Sequence, residues 1–258
     1  MVKGLYTAYT GMINEQNRMD VITNNLANVD TNGYKKEGAT SQAFDTVLAY
    51  KIKDESYAHN LSKGIGQMNL GVKIGENYTD YSQGPFKVTG NTYDLGISGS
   101  GFFTIEFASK DGTTSTKYTR DGSFIADIDG YLMTKDGDYV LDNNSRRIKV
   151  NPTQEVSIDK RGVISQNGTT VTTIKITDFE DYNYLEHYGE NFFVPVEGAT
   201  VKPGDYTINQ GYLETSNVQT VQEMVEMISV SRQYESNQKL ITTIDSTLQI
   251  AANQLGKV

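Results

Sequence analysis

Residues 217–255, NVQTVQEMVEMISVSRQYESNQKLITTIDSTLQIAANQL, decide the fold class. Met227, Val230, Tyr234, Asn237, Ile241, Ile244, Leu248, Ala251 and Leu255 step by three and four residues, which puts them on one face of a helix. Sustained over this length, the spacing is that of a coiled-coil seam. Val218, Val221, Val225 and Ile228 make a second stripe, offset by one position, that marks a bend or a change of partner. Ser216 and Asn217 are placed to cap the helix start. Glu223 and Glu226 fall in its early turns, where the helix dipole favours acids. A seam of this kind needs a facing helix.

The other end of the chain supplies one. Across residues 2–29, Leu5, Met12, Met19 and Leu26 recur every seven residues, with Ala8, Ile22 and Val29 three positions on; Glu15 interrupts the series. Both segments carry Thr, Ser, Asn and β-branched residues, which are mediocre helix formers. Their stability must come from packing, so the ends are expected to order on assembly.

Between the ends the period changes from 3.5 to 2. Residues 102–107, 123–127, 131–134, 139–141 and 171–179 read as strands. They alternate with the turn dipeptides Asp111-Gly112, Asp121-Gly122, Asp129-Gly130, Asp136-Gly137 and Asn167-Gly168. The expected fold is therefore α+β. N- and C-terminal helices (residues 1–30 and 216–258) pair as an antiparallel coiled coil. Residues 31–78 form an irregular connection with short helical or extended pieces, among them an amphipathic stretch at 41–49. Residues 79–215 form a central antiparallel β-rich domain.

Composition excludes several function classes. The 258 residues carry a net charge of −9 and no cysteine, so disulfides, thiolate metal sites and Cys nucleophiles are absent. An acidic chain is a poor partner for nucleic acid. Residues 1–29 are neutral and residues 217–258 carry −1, leaving −8 in the middle. Ends of that kind approach their own copies without repulsion. No apolar run is long enough for bilayer insertion. The N-terminal MVKGLYTAYTGMINEQ lacks the continuous apolar core of a cleavable signal peptide.

Candidates for chemistry are few. His59 and His187 sit in no recognisable motif. Asp127-Ile128-Asp129-Gly130 and Asp136-Gly137-Asp138 resemble pieces of calcium loops but lack the closing Glu, and they read as hairpin turns. Ser98-Gly99-Ser100-Gly101 precedes a strand, not a helix, so it reads as a tight turn and not a phosphate cradle. No metal, cofactor or catalytic residue is assigned.

Residues 24–36, NNLANVDTNGYKK, end the first helix: Asn28 is placed to cap it and Asn32-Gly33 supplies a turn with positive φ. This run resembles the signature of the bacterial flagellar rod and hook axial family. Three further blocks follow in the family's order: DYSQGPFKVTGNTYDLGISGSGFFTI (80–105), YTRDGSFIADIDGYLMTKDGDYVL (118–141) and GYLETSNVQTVQEMVEMISVSRQYESNQKLITTID (211–245). Length and one modest β domain are similar to those of a rod subunit, nearest to the distal section of the rod, with a hook or other axial subunit as the alternative.

The resemblance implies a non-catalytic subunit of the basal-body rod, the hollow drive shaft from motor to hook. It implies self-association into a helical homopolymer, neighbouring rod and hook proteins, and passage through the flagellar type III export apparatus to the periplasm and cell-wall zone. It leaves room for contacts with ring or rod-cap proteins of the peptidoglycan region. The assembly seam is expected at Leu5, Met12, Met19, Ile22 and Leu26 with Val225, Ile228, Ile241, Ile244, Leu248 and Leu255. The family-motif turn is expected at Asn25, Asn28, Thr31, Gly33 and Tyr34. A cell-wall hydrolase, which needs a carboxylate pair in a cleft, and a stalked adhesin, which needs a signal peptide, are the remote alternatives.

Overall fold

The computed structural model describes residues 2–51, 63–109, 113–189 and 191–254. It contains two long helices and a large antiparallel β-rich region, an α+β protein. The chain divides into two compact units. One comprises Met1–Leu26, Glu37–Tyr78 and Thr220–Val258; the other comprises Ala27–Lys36 and Thr79–Gln219. His59, Asp111-Gly112 and Leu255 lie outside the described residues.

The first unit holds helix α1 (Val2–Ala27), helix α2 (Thr220–Gln254) and two antiparallel or ladder-paired ribbons. One ribbon pairs Glu37–Ala43 with Val72–Thr79; the other pairs Val47–Lys51 with Lys63–Met68 in antiparallel register. Residues 41–49 are thus divided between two strands. The start of α2 differs from expectation. Ser216 Oγ accepts from Val218 N at 3.2 Å, a local turn, and Asn217 spends its side chain on Lys36 N and the carbonyls of Asp80 and Ser82. Both residues precede the helix, which begins at Thr220 with Glu223 in its first turn.

The second unit is built on a nine-stranded sheet. Its spine runs Leu185–Tyr188, Phe192–Pro195, Thr114–Thr119, Phe102–Ala108, Tyr139–Val140, Leu132–Thr134 and Phe124–Ala126. Phe102–Ala108 is the central strand. Because successive side chains point to opposite faces, Phe103 enters one core with Leu95, Ile97, Phe124, Leu132 and Ile164. Its neighbour Phe102 enters another with Phe179, Leu185 and Phe193. Aromatic edge-to-face contacts, such as Tyr118 on Phe179 at 5.0 Å, fill the second core.

The expected hairpins follow from their turn residues. Asn167 (φ 49°) and Gly168 (φ 76°) join Val163–Gln166 to Thr169–Thr173 with two left-handed residues, the backbone that matches strand twist. Asp129-Gly130 and Asp136-Gly137 likewise join paired strands. Asp121-Gly122 does not: Thr114–Thr119 and Phe124–Ala126 lie at different places in the sheet. The expected strand 171–179 is broken in two, Thr169–Thr173 and Ile176–Phe179, which serve different sheets.

Candidate assembly surface

On α2 the covered residues repeat with the expected spacing. Val230 is buried, and Met227, Tyr234, Asn237, Ile241, Ile244, Leu248 and Ala251 are half-buried. Val225 and Ile228 are not part of that face: they are 63% and 54% exposed. On α1, Ala8 and Ile22 are buried, while Leu5, Met12, Met19 and Leu26 are half-buried.

The α1 residues that meet α2 stand one position before the Leu5 series. A Cβ at Gly4 would lie 3.8 Å from Ile244 Cδ1, and one at Gly11 would lie 3.1 Å from Asn237 Nδ2. Arg18 donates to Glu226 Oε1 at 3.1 Å, and Asn25 donates to Glu223 Oε2 at 3.3 Å. These four α1 positions are seven apart, and their α2 partners come in the reverse order along the chain. Two are glycines and two are polar, so hydropathy does not mark them; the seven-residue spacing alone is their signal. Glu15, which interrupts the apolar series, is buried on the same face and binds Arg18 at 3.3 Å.

The signature residues then take separate tasks. Asn25, 1% exposed, accepts from Glu37 N at 2.9 Å and donates to Glu37 O at 2.8 Å, which starts the ribbon strand Glu37–Ala43. Thr31 Oγ1 donates to Asn28 Oδ1 at 3.2 Å, just past the end of α1. Gly33 has φ 70°, and a side chain there would overlap the backbone of Arg120 and Asp121. Its N–H donates to Glu214 O at 2.8 Å. Tyr34 is buried with its ring edge-on to His187.

Lys35 reaches the least exposed ionic group among the described residues of the second unit. Its Nζ donates to Glu214 Oε1 at 2.5 Å and to Ser82 O at 2.8 Å. Arg120 donates to Glu214 Oε2 at 3.3 Å and to Gly99 O at 2.8 Å, and Gly84 N adds a third donor to the carboxylate at 2.9 Å. Burial pushes the Lys35 ammonium below its usual range, and the neighbouring Glu214 carboxylate opposes that shift. No sequence pattern marks Lys35, Arg120 or Glu214. Separations of 179 and 94 residues leave no local spacing to read.

Three family models match this chain: Flagella basal body rod protein at residues 5–35, Flagellar hook protein FlgE/F/G D1 domain at 96–166, and Flagellar basal body rod FlgEFG protein C-terminal at 209–255. The Bacillus subtilis flagellar basal-body rod protein FlgG is 37% identical over 98% of this chain and 99% of its own length. The Agrobacterium fabrum FlgG is 33% identical over 98% and 100%, and the Caulobacter vibrioides FlgF is 31% identical over all of both chains. The chain belongs to the flagellar basal-body rod protein family. It is a structural subunit of the rod, close to the FlgG members, and not an enzyme.

In this rod subunit the signature and the C-terminal block are joined by polar contacts. Among the described residues no group of three or more His, Asp or Glu could hold a metal ion, and no helix is long and apolar enough to cross a membrane. Asn25→Asp is expected to keep the acceptor for Glu37 N–H but lose the donor to Glu37 O, and to set a carboxylate against Glu223. The cost is roughly 1–3 kcal/mol, that of a buried polar group left unpaired. Faster hydrogen exchange at the Glu37 amide, with the amides of the Phe102–Ala108 strand unchanged, is the measurement that checks it.

Proposed function

We propose that this subunit polymerises helically into the hollow drive shaft between motor and hook, with α1 and α2 of each copy paired as an antiparallel coiled coil that lines the inner tube. Residues 1–30 and 216–258 form the coiled-coil domain, residues 31–78 connect, and residues 79–215 form the outer domain. The observation that carries this reading is the set of four α1–α2 contacts, seven residues apart on α1 and reversed on α2. The apolar half of the seam is Leu5, Met12, Met19, Ile22 and Leu26 with Ile241, Ile244 and Leu248.

A shaft must resist bending while it transmits torque, and close-packed interfaces do not deform continuously. Near-neutral ends suit stacking, and the acidic middle suits an outer surface in water. The subunit reaches the cell-wall zone through the flagellar type III export apparatus. It meets other rod and hook proteins at the ends of its own segment, and ring or rod-cap proteins of the peptidoglycan region around it.

Full-length identity to FlgG members supports a position in the distal rod. The full-length FlgF relative supports the alternative, another axial subunit of the rod and hook family. Electron microscopy of basal bodies from a strain lacking this chain separates the two. A shaft that stops just short of the hook end is expected. A complete rod with hook attached would remove the reading.

A further inference from the structure

Each helix of the first unit carries an apolar patch on the side turned away from the other helix. On α2, Val221, Met224, Val225 and Ile228 are 76, 48, 63 and 54% exposed. With 3.6 residues per turn they share an arc of about 100°, diametrically opposite Glu223, Asn237 and Ile244, which meet α1. On α1, Tyr6 and Tyr9 are 48% and 49% exposed and lie opposite Gly4, Gly11, Arg18 and Asn25. The contact order places Val225 level with the last turn of α1. At 1.5 Å per residue the two patches are therefore separated by roughly 20–25 Å along the helix pair.

The patches differ in shape and chemistry. One is a low ridge of branched aliphatic groups with a thioether. The other is two phenol rings one turn apart. Rings on aliphatic groups with a sulfur at the ring edge make a favourable packing, and tyrosine is a frequent anchor residue at interfaces. The aliphatic patch ends where Arg232, Glu235 and Lys239 take over that side of α2, so it is two turns long and sized for two rings.

We propose that Tyr6 and Tyr9 of one copy dock on the Val221, Met224, Val225 and Ile228 patch of the next copy, which stacks the helix pairs head to tail. This rests on the reading of the chain as a polymerising rod subunit and names the surfaces that join successive copies. Both halves of the contact are on one chain, at opposite ends and on opposite sides of the helix pair. Joining unlike patches leaves one of each free at every step, so growth stays open. Neither terminal segment carries a net charge large enough to oppose the approach.

The chain contains no cysteine, so a thiol pair tests the contact directly. Tyr9→Cys and Val225→Cys are introduced together, and basal bodies purified from the producing cells are oxidised. Within one copy the two sites are too far apart for a disulfide, which needs Cα atoms within about 7 Å. Non-reducing electrophoresis is expected to show the monomer replaced by a ladder of dimers, trimers and longer species that collapses with reductant. Each single variant is expected to remain monomeric.

Rods that assemble but stay monomeric in the double variant would overturn the contact and leave the rod reading intact. Dimers from either single variant would show like patches meeting, and would overturn it too. A charge pair reads the same contact without thiols. Val225→Glu is expected to abolish rods and swimming, and Tyr9→Lys in the same chain to restore them. Unimpaired swimming in Val225→Glu, or no restoration by the second change, counts against the proposal. The underlying reading fails separately, if the unaltered chain is missing from purified basal bodies.

Discussion

Glu214→Ala is expected to destabilise the β-rich unit by about 3–5 kcal/mol, because it strands two buried cations. Lys35 and Arg120 are 1% and 4% exposed, and the Glu214 carboxylate is the acceptor both of them share. Removing one partner of such a group costs more than the group contributes, since the charges left behind cannot regain water. For a unit of this size the loss corresponds to a fall of roughly 6–20 °C in Tm. A thermal melt followed by near-ultraviolet circular dichroism, which reports the packed tyrosines, measures it.

Lys35→Met supplies the contrast. It removes the cation whose burial is already unfavourable and leaves Glu214 with Arg120 and Gly84 N as donors. The Glu214–Arg120 pair left behind is still balanced, so no uncompensated charge is buried and the expected change stays below the roughly 3–5 kcal/mol of a broken pair. If Lys35→Met lowers Tm as far as Glu214→Ala does, the carboxylate is not the centre of the group. That result would move the weight to the Lys35–Ser82 contact.

Ile244→Asp has the larger effect on assembly. Ile244 is half-buried, and its Cδ1 lies within ordinary van der Waals reach of the Cβ position at Gly4. A carboxylate placed there sits in an apolar contact, and burying it unpaired costs several kcal/mol, roughly 2–7 on transfer scales. The variant is expected to be made and exported, to fail to polymerise, and to leave cells non-motile. Immunodetection of the subunit outside the cell, with electron microscopy of basal bodies, separates failed export from failed assembly. Ile244→Val, which keeps the apolar contact, should swim. Normal motility with aspartate at this position would remove the helix seam from the mechanism.

Much of the fold was readable locally. The helical ends follow from steps of three and four, and Asn167-Gly168, Asp129-Gly130 and Asp136-Gly137 announce hairpins through the backbone angles they favour. Periodicity alone could not divide the two stripes of α2 between inner and outer use. Val225 and Ile228 have the same apolar character as Ile241 and Ile244, yet they face outward, because a helix with apolar groups on opposite sides offers either one to its partner. Nor could hydropathy find Gly4, Gly11, Arg18 and Asn25, two glycines and two polar residues that make no apolar stripe.

From sequence alone, then, come the class of fold, the two helical ends, the turn chemistry of the sheet and the resemblance of four ordered blocks to rod proteins. Each rests on short-range spacing, which a linear string preserves. Tertiary structure decided which face of each helix meets the other, and it brought Lys35, Arg120 and Glu214 together. Those are pairings between residues far apart in the chain, selected by whether a charge or a side chain has a partner after the backbone has closed around it.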